Sequence, residues 1–158
     1  MSALTENRTV TSQGARRSIL KAFKKKRPIF LWGPAGIGKS ELAQGIVDSG
    51  DLGNAMLIDL RMALMEPTDI KGIPYFNKDL GVMDWAPPID LPSQELADQY
   101  DTIVLFLDEL NSAPQSTQAA AYQLVLNGKV GKYVLPKNVV IIAAGNRESD
   151  KGVTFRMP

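Results

Sequence analysis

The sequence predicts an α/β domain with a mostly parallel central sheet, and three observations carry that prediction. Short apolar runs alternate with helical patterns along the chain, which specifies parallel strands joined by right-handed crossovers. A glycine-rich segment, Gly33–Ser40, stands between one such run and a helix. A continuously apolar run, Thr102–Leu107, reads as a strand buried on both faces and ends in Asp108-Glu109. Ligands of sheets of this kind sit at the carboxyl ends of the strands.

Taken in order, the residues through about Thr11 read as a loosely attached, flexible start. Ser12 caps an expected helix to about Lys25, with Ala15, Ile19, Ala22 and Phe23 on one face. Its other face holds Arg16, Arg17, Lys21, Lys24 and Lys25, and the cluster continues through Lys26 and Arg27. Such a run is either a solvated helix face or a site for nucleic acid or an acidic partner. The first strand is Pro28–Trp32, and the helix after the glycine loop buries Leu42, Ala43, Ile46 and Val47. Gly50 and Gly53 lead into a second strand over about Ala55–Leu60. Arg61–Tyr100 is less regular, with prolines at 67, 74, 87, 88 and 92. After the Thr102–Leu107 strand, a helix over about Ser116–Leu126 packs Ala120, Ala121, Leu124 and Val125. Asn127-Gly128 separates it from the alternating Val130–Leu135, one arm of a short hairpin, and the last strand is Val139–Ala144.

Composition narrows the chemistry. The 158 residues are one domain's worth of chain, with 44% hydrophobic and 22% charged residues and a formal net charge of +1. That balance argues against a nucleic acid as the main partner. The chain has no cysteine and no histidine, which removes thiol nucleophiles, disulfides, imidazole bases and most zinc sites. Acid–base work therefore falls to carboxylates or lysines, and a metal site is oxygen-rich, as Mg²⁺ prefers. No apolar run approaches the ~18 residues of a membrane span, and the polar start is no signal peptide. The expectation is a cytoplasmic protein with no membrane partner.

Gly33-Pro34-Ala35-Gly36-Ile37-Gly38-Lys39-Ser40 matches the phosphate-binding pattern G-x-x-x-x-G-K-[ST]. Glycines let successive N–H groups turn inward around phosphate oxygens, and the following helix adds the positive end of its dipole. Lys39 supplies a point charge for the β and γ phosphates, and the Ser40 hydroxyl a ligand for Mg²⁺. The candidate nucleotide-binding segment is Gly33, Pro34, Ala35, Gly36, Ile37, Gly38, Lys39, Ser40 and Glu41. Asp108 is the second candidate Mg²⁺ ligand. Glu109, one residue on, can polarise a water for attack on a γ-phosphate. Asn146, after the strand run Ile142-Ala143-Ala144-Gly145, can hydrogen-bond that water or the phosphate. With Lys39 and Glu109 it completes the candidate catalytic set.

Together these three elements resemble the AAA+ ATPases, and the detail resembles their MoxR-like branch. The resemblance runs from about Thr11 through Trp32–Ser40, Asp59-Leu60-Arg61, Glu66–Pro74 and Trp85-Ala86-Pro87-Pro88. It continues through Leu107–Asn111, Ala119–Leu124, Ala144-Gly145-Asn146-Arg147 and Gly152–Pro158. It implies a three-layer P-loop NTPase sandwich, in which Lys39 and Ser40 take the Walker A roles, Asp108 and Glu109 the Walker B roles, and Asn146 that of sensor 1. It also implies ATP and Mg²⁺ as cofactors, a homo-hexameric ring in the intact form, and chaperone-like remodelling of partner proteins, including partners with a von Willebrand A-type domain. Glu66–Pro74 and Tyr75–Trp85 lie where the family inserts elements facing the ring pore, and Asn127–Leu135 at the insert before sensor 1. The family continues past Met157-Pro158 into an arginine finger, a further strand and a helical lid. The expectation is thus a partial AAA+ core over 12–158, behind a flexible 1–11, with slow turnover as this chain alone. A non-catalytic nucleotide-binding module and a nucleic-acid-linked ATPase stay open as alternatives.

Overall fold

The structure is a computed structural model that describes residues 11–34 and 38–146. Its centre is a four-stranded parallel sheet in the order β1-β8-β5-β2. The strands are β1 (Ile29–Trp32), β2 (Ala55–Arg61), β5 (Thr102–Asp108) and β8 (Val139–Gly145). All three pairings are parallel: β1 with β8, β8 with β5, and β5 with β2. Burial follows position in the sheet. The central strands β5 and β8 are almost wholly buried, whereas β1 and β2 at the borders are half-buried.

Alternation along the central strands divides the core in two. Val104, Phe106, Ile142 and Ala144 face α1 (Ser12–Lys24) and α2 (Lys39–Asp48), and pack with Ile19, Phe23, Ala43 and Ile46. Ile103, Leu105, Leu107, Ile141 and Ala143 face the other way, onto Ala120, Ala121, Leu124 and Val125 of α5 (Gln115–Asn127). Helices on both faces of the parallel sheet that the strand–helix alternation predicts make the three-layer α/β sandwich that the family resemblance implies. Each fully buried Leu, Ile or Phe contributes about 1.5–3 kcal/mol through lost water contact, so these two clusters dominate stability.

The start of the folded chain differs from the expectation by one residue. Thr11, not Ser12, caps α1: the Thr11 hydroxyl accepts from the Gly14 N–H at 3.1 Å. Thr11 therefore belongs to the folded body. The basic face of α1 is mostly solvated, with Lys21 and residues 24–27 exposed, while Arg16 is paired with Asp51 at 2.7 Å.

The larger difference lies in the stretch read as irregular. Residues 62–100 carry α3 (Pro67–Lys71), the antiparallel hairpin β3 (Ile73–Asn77) and β4 (Val82–Ala86), and the short α4 (Gln94–Ala97). Gly72 makes the corner between α3 and the hairpin. Its φ is 86°, and the Ala86 carbonyl occupies the space a side chain would need. The second hairpin is shorter than expected: β6 (Lys129–Val130) begins one residue before the Val130–Leu135 segment read as one arm, and β7 (Tyr133–Val134) lies inside it. Gly128, at φ 68°, turns the chain out of α5 into it. A Lys132–Asp84 ion pair at 2.8 Å joins the two hairpins. The half-buried Tyr133 hydroxyl donates to the Pro92 carbonyl at 2.6 Å, and desolvation pushes its pKa above the usual tyrosine range.

Candidate functional site

The site forms at the carboxyl edge of the sheet, where β1, β8 and β5 end side by side. β1 stops at Trp32, and the Gly33 N–H donates to the Gly145 carbonyl at 3.2 Å, extending the β1–β8 ladder by one bond. Gly38 is the N-cap of α2 with φ 84°, a left-handed conformation that a side chain would strain. Lys39 and Ser40 are the first two residues of α2, with Glu41 beside them in its first turn. An acid there complements the helix dipole. Ala35, Gly36 and Ile37 lie outside the described residues, as do Arg147 and Gly152–Pro158.

Lys39 gathers the edge together. Its ammonium donates to the Gly33 carbonyl at 2.6 Å, to the Gly145 carbonyl at 3.3 Å and to the Asn146 Oδ1 at 3.2 Å, with Pro34 O at 3.4 Å. Asn146 is 107 positions away in sequence, yet its side chain shares one cation with the glycine-rich segment. The first and last elements of the sequence-predicted site are thus brought into direct contact.

Asp108 and Glu109 end β5, the strand beside β8. The Asp108 Oδ1 accepts from the Glu109 N–H at 2.9 Å. Glu109 takes a left-handed conformation, φ 55° and ψ 37°, which costs a non-glycine residue on the order of 1 kcal/mol or more. That kink turns the chain out of the strand into the short 3₁₀ turn Leu110–Ser112. Asp59, on β2 next to β5, adds a third carboxylate. Desolvation and the Asp108 charge raise its pKa, and Arg61 partly offsets them.

The sequence analysis gave no role to Asn111, which the turn buries to 3% exposure. Its Oδ1 accepts from the Asn146 N–H at 3.0 Å, and its amide group donates to the Asn146 carbonyl. A polar residue three places after a strand looks like any turn residue, and its one sequence signal is its place at the end of the Leu107–Asn111 segment of the family resemblance. Gly145 is the complementary requirement: a Cβ there would lie 2.6 Å from Asn111 Oδ1 and 3.0 Å from the Trp32 ring.

The donor set fits a phosphate with Mg²⁺. A helix N-terminus, a lysine ammonium and a left-handed glycine meet on one edge, and the acids available are oxygen ligands only. Among the described residues no group of three acids, histidines or cysteines forms a metal cage by itself. No helix of the described residues is long and apolar enough to cross a membrane.

The sigma-54 interaction domain family matches residues 5–156, nearly the whole chain. The chain belongs to the sigma-54 interaction domain family. By family and fold this sigma-54 interaction domain is an AAA+ P-loop ATPase domain. No curated protein matches its sequence. Among solved structures it is similar to a candidate ATPase of Cytophaga hutchinsonii, with a TM-score of 0.59 and 17% identity over 91% of this chain and 41% of that one. It is also similar to NtrX of Brucella abortus in complex with ADP, with a TM-score of 0.54 and 20% identity over 97% and 34%. A further structure of NtrX gives 0.51 and 18% over 94% and 33%. The chain thus spans less than half the length of the structures it matches.

Proposed function

We propose that this domain binds ATP with Mg²⁺ at the Gly33–Glu41 edge and hydrolyses it, as the core of a MoxR-like ring ATPase that remodels partner proteins. The observation that carries the reading is the Lys39 ammonium shared between the Gly33 carbonyl and the Asn146 side chain. A phosphate-loop lysine and a polar strand tip converging on one point are what reading a terminal phosphate requires.

The roles follow from position. Backbone N–H groups of the loop and the start of α2 hold phosphate oxygens, and Lys39 neutralises their charge. Ser40 and Asp108 would hold Mg²⁺, which supplies further charge neutralisation at the phosphates. Glu109, turned out of the strand by its left-handed backbone, accepts the proton of the attacking water. Asn146 fixes that water or the γ-phosphate. Catalysis by such a site is charge placement around a transferring phosphoryl group rather than covalent chemistry.

The MoxR-like branch, a hexameric ring in the cytoplasm and a von Willebrand A-type partner belong to this proposal. Support comes from the Glu66–Pro74 segment and from two hairpins standing where that branch is expected to carry its pore-facing inserts. Ile73, Tyr75, Phe76, Val82 and Met83 expose apolar surface on both faces of the first hairpin. A patch of that kind suits a protein partner. Asp69 is a poor probe of this surface, because its carboxylate accepts from the Glu66 N–H at 2.8 Å and so caps α3.

Phosphate release from ATP in the presence of Mg²⁺ tests the reading. Replacing Glu109 by Gln lowers turnover by roughly 10²–10⁴-fold while ATP still binds, as loss of a general base does. Unchanged turnover in Glu109→Gln removes Glu109 from the chemistry.

A further inference from the structure

We propose that Asn111 is a positioning residue for Asn146, locking the phosphate-facing tip of β8 to the turn that carries Glu109. The inference rests on the nucleotide reading above for its consequence, but its geometry stands apart from it.

The β5–β8 ladder ends at the Leu107–Ala143 pair, because Glu109 kinks the chain away from β8 immediately afterwards. Without a substitute, the last residues of β8 would have no ladder partner on that side. Asn111 fills this place. Its carboxamide has the donor and acceptor of a peptide group, and it offers both to the backbone of Asn146. The side chain thus continues the sheet past the point where the backbone leaves it.

Asn111 is itself held in place. Gln118 of α5, fully buried, donates its side-chain amide to the Ala113 carbonyl at 2.8 Å and to the Asn111 carbonyl at 3.4 Å. Gly145 leaves room for the Asn111 Oδ1, as noted above. With its backbone gripped at both N–H and C=O, Asn146 can aim its Oδ1 at the Lys39 ammonium. Only Leu110 separates Asn111 from Glu109, so the turn holding the water-activating acid and the tip holding the phosphate-reading amide move as one piece.

Two readouts test this. The first needs no nucleotide: amide hydrogen exchange by NMR in the wild type, Asn111→Ala and Asn111→Asp. The Asn146 amide exchanges roughly tenfold faster in Asn111→Ala, the loss of about one buried hydrogen bond, while the Ile142 amide is unchanged. Asn111→Asp keeps the acceptor for the Asn146 N–H but cannot donate to its carbonyl, and falls between the two. The second readout is the ratio of affinities for a non-hydrolysable ATP analogue and ADP. That ratio drops roughly tenfold in Asn111→Ala and in Asn146→Ala, and the double variant loses no more than either alone.

An Asn146 amide that exchanges at the wild-type rate in both Asn111 variants overturns the proposal. So does faster exchange at Ile142 together with equal weakening of both nucleotides, the mark of general destabilisation. Absence of nucleotide binding in the wild type overturns the functional reading and the phosphate half of this proposal. The exchange rates then still uphold or overturn the clamp.

Discussion

The strand pair β5–β8 and the hairpin β3–β4 are both β structure, yet they obey opposite rules. In β5 and β8 the apolar side chains are buried between the helix layers, apart from the half-buried Val140, and the one ionisable group is at the carboxyl tip of β5. In the hairpin, Phe76 and Met83 form a cross-strand pair that is 58% and 60% exposed, and Ile73 and Tyr75 on the opposite face are also open. The first region builds a rigid platform and concentrates chemistry at its edge. The second projects apolar surface that contributes little to the core. Core burial and exposed apolar surface are thereby assigned to separate parts of one small domain.

Substitution of one aromatic in each region puts the contrast to the test, and the largest effect belongs to the platform. Phe106→Ala, in the middle of β5, costs about 3–5 kcal/mol in urea unfolding. Phe76→Ala, on the hairpin, changes stability by less than about 0.5 kcal/mol, because its ring is already in water. A hairpin variant as damaging as Phe106→Ala would mean that the hairpin is part of the core.

What the sequence reveals follows the same division. Continuous apolar runs at Thr102–Leu107 and Val139–Ala144 can only be strands buried on both faces, so the platform was legible residue by residue. Gly38-Lys39-Ser40, Asp108-Glu109 and Asn146 stood out by residue type and by their places next to strand ends, and the sheet order brings their elements to one edge. The β3–β4 hairpin was not. Its apolar residues face water on both sides, so no inside–outside alternation marks it, and Pro74 argues against a strand. Pro74 is tolerated because it sits near the start of a two-stranded ribbon. Asn111 was equally hidden, since its role depends on a residue 35 positions away.

A smaller effect concerns the tie between the two hairpins. The Lys132 ammonium, followed by the Trp85 N–H, holds the Asp84 carboxyl below its usual pKa. A carboxylate with a lowered folded pKa stabilises the fold above the unfolded value and loses that contribution as pH falls through the folded one. Asp84→Asn therefore lowers the thermal midpoint slightly at neutral pH, and the difference fades in acid. Both groups are open to solvent, so salt reduces the effect further. A difference that persists in strong acid would assign it to packing rather than charge.

Titration of the chain with ATP and Mg²⁺, wild type beside Lys39→Ala, bears on everything at the platform's edge. Saturable binding by the wild type and a loss of roughly 10–100-fold in Lys39→Ala are the expected results; charged hydrogen bonds to phosphate carry that much. Equal ATP affinity in the two proteins would contradict the assignment of a phosphate site to the point where Lys39 meets Asn146.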